Sequence, residues 1–130
     1  MIKFLARLTA AALVAFATAS AALAVENVPY DRTKFDAAQK EGKPILVDIS
    51  APWCPTCKAQ KPIVEKLTNK PEYKSLTIFE VDFDSQKDAV KRFGARSQST
   101  LIVFKGVKET GRSAGDTREA SIETLVKSAF

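Results

Sequence analysis

A chain of 130 residues, 45% of them hydrophobic, suits one globular domain with a modest core. Its net charge of +5 is mild, and Lys and Arg are scattered without aromatic interleaving, which argues against a nucleic-acid surface. With two cysteines and no histidine, Cys-His nucleophilic dyads and a CxxCH haem attachment are excluded.

The first residues do not read as part of the domain. Lys3 and Arg7 precede an apolar stretch from Leu8 to Ala17, and Ala22-Leu23-Ala24 supplies small residues in an A-x-A pattern. This order describes a secretory signal peptide over residues 1–24, cut after Ala24. The Ala-rich run is short for a membrane span of about 20 residues, so no stable membrane insertion is expected after cleavage. The remaining domain, residues 25–130, is expected in a bacterial periplasm, where two nearby thiols tend to pair.

Thr33 to Glu41 reads as a first helix, with Thr33 as N-cap and Gly42 as the stop. In "KPILVDIS", Ile45, Leu46, Val47 and Ile49 form a nearly continuous apolar run, as in a strand buried on both faces. Asp48 is the anomaly within it. A second helix begins at Cys54-x-x-Cys57 and runs to Asn69, with Ile63, Val64 and Leu67 inward and Pro62 inside it. "LTIFEVDFD" reads as a second buried strand, and Val90 and Phe93 mark a short helix ending at Gly94. "TLIVF" is a third strand that turns at Gly106 into a fourth, Lys108 to Ser113. The last helix spans Thr117 to Ser128, with Asp116 and Glu119 as a capping box. The order α-β-α-β-α-β-β-α implies an α/β domain with a central mixed sheet flanked by helices on both faces.

Three chemistries compete for Cys54 and Cys57. A structural zinc site needs four ligands, and one CxxC supplies two. An inert disulfide closing so short a loop removes little unfolded-state entropy. A redox pair fits the position better. At a helix start, Cys54 sits near free backbone N–H groups and the positive end of the helix dipole, which favours a thiolate. Cys57, one turn on and expected to be the more buried, is placed to attack a mixed disulfide formed at Cys54.

The segment "ILVDISAPWCPTCK" resembles the strand, buried aspartate and W-C-x-x-C-K site of the thioredoxin family, and the likeness extends from Lys43 to the C-terminus. Asp48 stands six residues before Cys54, Pro62 eight residues after it, and "GARSQSTLIVFKG" resembles the family's next strand and its approach. The resemblance implies a thioredoxin-like fold and a thiol:disulfide oxidoreductase. In it, Cys54 attacks, Cys57 resolves, and Asp48 is the buried acid/base serving Cys57. An acid in an apolar strand should also have a raised pKa.

Trp53 reads either as a substrate contact or as packing. Pro55 and Thr56, the variable pair, differ from the family's usual Gly-Pro; the proline resembles glutaredoxins and periplasmic disulfide oxidants, leaving both directions of electron flow open. Substrate contact is also expected at Gln98, Ser99 and Thr100.

Two positions depart from the family pattern. Ser99 stands where the family has a cis-proline; a non-proline cis bond costs about 2.5–4 kcal/mol, so the Gln98–Ser99 bond is expected to be trans with a reshaped groove. Glu80 stands where many thioredoxins carry lysine, and it points either at Asp48 or to solvent. No cofactor is expected. The partners implied are protein substrates with disulfides or thiols and a redox partner protein, and the chain is expected to be a monomer. Two other readings stay open: a chaperone-like binding module without turnover, and a metal or iron–sulfur dimer made accessible by Ser99.

Overall fold

The computed structural model describes residues 25–130, so the signal-peptide expectation lies outside the described residues. The chain runs β1 (Glu26–Pro29), α1 (Arg32–Lys40), β2 (Pro44–Ser50), α2 (Pro55–Thr68), a 3-10 turn at Pro71–Tyr73, β3 (Thr77–Asp82), α3 (Lys87–Arg92), β4 (Thr100–Lys105), β5 (Lys108–Ala114) and α4 (Glu119–Lys127). The predicted order is present, preceded by one strand the sequence did not announce. β1 is four residues long and mostly exposed, so it lacks an apolar run. It forms by pairing parallel to β3 at the sheet edge, from Glu26 opposite Thr77 to Pro29 opposite Glu80. A proline is tolerated at such an edge, where one side of the strand needs no N–H.

The five strands lie in the order β1-β3-β2-β4-β5. β2 and β3 are parallel, whereas β4 runs antiparallel to β2 and β5 antiparallel to β4. The central β2 is therefore covered on both faces, as its apolar run predicts. Alternation along β2 and β4 divides the core. Ile45, Val47, Ile49, Ile102 and Phe104 join Phe35 of α1 and Val90 of α3 on one face. Leu46, Leu101 and Val103 join Val64 and Leu67 of α2 and Ile122 and Val126 of α4 on the other. Asp48 shares the parity of Leu46 and so belongs to the α2 face.

Two helix starts differ from expectation. The N-cap of α1 is Asp31, whose side chain accepts from the Lys34 N–H; Thr33 lies inside the helix. Both residue types are good caps, and the chain leaving β1 selects the earlier one. At α4 the capping box does not form. The helix begins at Glu119, and the Asp116 carboxylate instead accepts from the Arg118 N–H and guanidinium and from the Ser121 hydroxyl. The β4–β5 turn needs Gly106, where φ is +58° and a Cβ would stand 3.1 Å from the Gly42 Cα.

Candidate active site

β2 ends at Ser50, and a tight turn, closed by the Cys54 N–H on the Ala51 carbonyl at 3.2 Å, carries the chain into α2. Cys54 is the N-cap of α2, with extended backbone, and Pro55 occupies the first turn, where its missing N–H costs nothing. The Cys57 N–H donates to Cys54 Sγ at 3.1 Å. The sulfur thus takes the place a Ser or Asp oxygen fills in an ordinary cap. Cys54 and Cys57 are joined as a disulfide, with Cα atoms 5.3 Å apart, packed with Ala51 and Phe83.

The expectation that Cys57 is the more buried is corrected: Cys54 is 2% exposed and Cys57 8%. Cys57 borders a cavity of about 440 Å³, whereas Cys54 does not. Asp48, Lys58, Lys61 and Glu80 line the same cavity.

Asp48 lies opposite Glu80 on β3 and Leu101 on β4. Burial first, and then the Glu80 charge, push its carboxyl up to about 6 from 3.8, while Lys61 pulls the other way. Glu80 is solvent-exposed, and its charge still adds to the upward shift of the Asp48 carboxyl. Lys61 was not singled out from the sequence, although it follows Cys57 by four residues and so lies one helical turn on.

Ser99 is 2% exposed, with φ at +60°, the only non-glycine residue with positive φ among the described residues. No peptide bond among the described residues is cis, so the Gln98–Ser99 bond is trans, as expected. The Ser99 carbonyl accepts from the Gly115 N–H at 2.9 Å and from Gln60 Nε2 at 3.5 Å. Its hydroxyl lies 3.2 Å from Cys54 Sγ and 3.0 Å from Cys57 Sγ. Thr100 begins β4 and donates through Oγ1 to the Ser97 carbonyl at 2.8 Å. Gln98 is half-buried beside it.

Trp53 is 57% exposed, and its indole N–H donates to Asp84 Oδ2 at 2.6 Å. This ties the ring, one residue before Cys54, to the loop after β3 by its edge. Pro55 and Thr56 are exposed on the first turn of α2. Gln60 went unnoticed in the sequence. Buried and three residues past Cys57, it ties the Ser99 loop to the Asp116 carbonyl at 2.8 Å. Only the helical spacing from Cys57 hinted at it.

A paired CxxC at a helix N-terminus, with a half-buried carboxyl on the adjoining strand whose pKa desolvation raises, defines a thiol:disulfide oxidoreductase. The thioredoxin family model matches residues 26–128. The chain is 38% identical to the Trxlp structure from Edwardsiella tarda over 78% of this chain and 98% of that one, with a TM-score of 0.76. It is 38% identical to a thioredoxin of Chlamydia muridarum over 63% of this chain and 78% of that protein. It is also 41% identical to the protein disulfide-isomerase erp38 of Neurospora crassa over 57% of this chain and 21% of that protein. The chain belongs to the thioredoxin family.

Proposed function

We propose that the chain works outside the cytoplasm, in a bacterial periplasm, as a soluble monomer. There it exchanges disulfides with protein substrates and is reset by a redox partner protein. The N-terminal pattern of Lys3, Arg7 and the Ala22-Leu23-Ala24 site supports the compartment. The relative named as a protein disulfide-isomerase supports protein substrates. The observation that carries the exchange reading is the Cys54–Cys57 disulfide at the start of α2, with Cys57 and Asp48 on one cavity.

In the reduced protein, the Cys54 thiolate attacks a substrate disulfide. A bond forms between Cys54 Sγ and one substrate sulfur, and the other substrate sulfur leaves with the electron pair. Asp48 takes the Cys57 proton across the cavity. The Cys57 thiolate then attacks Cys54 Sγ, closing the internal disulfide and releasing the second substrate thiolate. Two electrons pass to the substrate, and the reverse sequence oxidises a substrate dithiol. In the closed disulfide Cys54 is almost fully covered, so the substrate must displace that cover as it docks. Trp53, Pro55, Thr56, Gln98, Ser99 and Thr100 border that docking ground.

Two measurements test this reading. The mature protein recovered from a periplasmic extract should begin at Val25 by mass; a chain retained in the cytosol with its first 24 residues would contradict the export. Purified wild type should accelerate insulin disulfide reduction by dithiothreitol, and Cys54→Ser should return the rate to background. Activity surviving that substitution would contradict the exchange role.

A further inference from the structure

We propose that the Ser99 hydroxyl is a catalytic group of the dithiol pair, donating its hydrogen bond to whichever sulfur carries the thiolate. It serves Cys54 before attack and Cys57 at resolution, and so biases the pair toward the dithiol. The proposal deepens the exchange mechanism and rests on Cys54 as the attacking thiol.

One hydroxyl lies within hydrogen-bonding distance of both sulfurs, 3.2 Å from Cys54 Sγ and 3.0 Å from Cys57 Sγ. A hydroxyl has one proton to donate, so it serves one sulfur fully at a time. Disulfide sulfurs are weak acceptors and a thiolate is a strong one, since bonds to ionised partners are about twice as strong as neutral ones. The contact therefore strengthens when the pair is reduced. At 2% exposure, little water competes for it.

The position is built rather than incidental. Ser99 holds φ at +60°, a region costly for a residue with a Cβ. Gly115 and Gln60 pin its carbonyl from two other segments, and Thr100 closes the loop on Ser97. Three stretches of chain thus aim one oxygen at the sulfur pair. The Cys57 N–H already donates to Cys54 Sγ. Ser99 adds a second donor from a separate segment of the chain, and the only one that reaches both atoms among the described hydrogen bonds.

The hydroxyl keeps its proton throughout. When Cys54 Sγ bonds to the substrate sulfur it loses its negative charge, and the O–H rotates to Cys57 Sγ as that thiol gives up its proton. Closing the internal disulfide neutralises both sulfurs and returns the contact to its weak form.

The test uses Ser99→Gly, which removes the hydroxyl while relaxing the positive φ, alongside Ser99→Ala as a check on backbone effects. The equilibrium with glutathione should move about tenfold toward the internal disulfide in both variants, equivalent to a potential about 30 mV more reducing. The pH profile of iodoacetamide alkylation at Cys54 should move to higher pH, a shift that improved access alone does not produce. An equilibrium constant within twofold of wild type, with an unmoved profile, overturns the proposal. So does a shift toward the dithiol. Mass mapping separates the two layers. A first alkyl group on Cys57 in wild type overturns the attacking-thiol assignment, and the proposal with it. An unshifted variant alkylated on Cys54 overturns the Ser99 role alone.

Discussion

The two faces of the sheet are built for different work. The α1/α3 face holds an aromatic cluster: Phe35 stacks edge-to-face with Phe79, Phe93 and Phe104 at 5.2–5.4 Å, and Tyr30 closes it from the edge. The α2/α4 face holds aliphatic residues interrupted by polar ones, with Asp48 under α2 and Gln60 tying α2 to the Ser99 loop. One face buries large apolar area without interruption and supplies stability. The other accepts buried and half-buried polar groups, each costly unless paired: Asp48 lines the cavity that Cys57 borders, and Gln60 holds the Ser99 loop. Keeping them on one side lets the chemistry carry strain and desolvation while the opposite face holds the domain folded.

The sharpest way to break this contrast is Phe35→Ala. Phe35 is 1% exposed at the centre of the aromatic cluster, and its loss should cost about 3–5 kcal/mol by denaturant unfolding. Insulin reduction per folded molecule should stay near wild type. A comparable loss of exchange in the folded fraction would show that the faces are not independent.

Asp48→Asn should do the reverse, weakening exchange while strengthening the fold. The folded state holds the Asp48 proton more tightly than the unfolded chain does, since its carboxyl is pushed up to about 6 from 3.8. Its contribution to stability is therefore fully present below about pH 4 and is lost as pH rises through about 6. At pH 7 the substitution should recover up to about 3 kcal/mol, with no gain below pH 4. Exchange should slow by up to about 100-fold, the low end of general acid–base effects. Equal stability gains at pH 4 and pH 7 would remove the burial argument.

Glu80→Gln should have the smallest effect. Removing its charge takes away the second cause of the Asp48 shift, so the Asp48 titration should move to lower pH by carboxyl NMR. Stability near pH 7 should rise slightly, by no more than about 1 kcal/mol, as for other exposed charges. An unmoved titration would mean solvent screens the pair completely.

What could be read from the sequence follows from how local each signal is. The buried run around Asp48, the CxxC at a helix start and the Gly94 and Gly106 stops are written within a few residues. β1 was invisible because a four-residue, mostly exposed strand exists only through its pairing with β3. The α1 cap was misplaced because Asp31 and Thr33 are both competent and the entering chain decides between them. Ser99 stood out only as a departure from the family pattern. That its hydroxyl would reach both sulfurs depended on φ at +60° and on anchors from Gly115 and Gln60, residues far away in sequence. Cys54 came out more covered than Cys57 because whole-site packing, not helix position, sets exposure in the closed disulfide.

The central claim is that Cys54 attacks and Cys57 resolves. Incubating reduced Cys57→Ser and Cys54→Ser variants separately with a disulfide-bonded protein, followed by non-reducing mass spectrometry, tests it most directly. The account predicts that Cys57→Ser accumulates a stable mixed disulfide at Cys54, while Cys54→Ser captures almost none. Accumulation at Cys57 in the Cys54→Ser variant, with none in its counterpart, would contradict it.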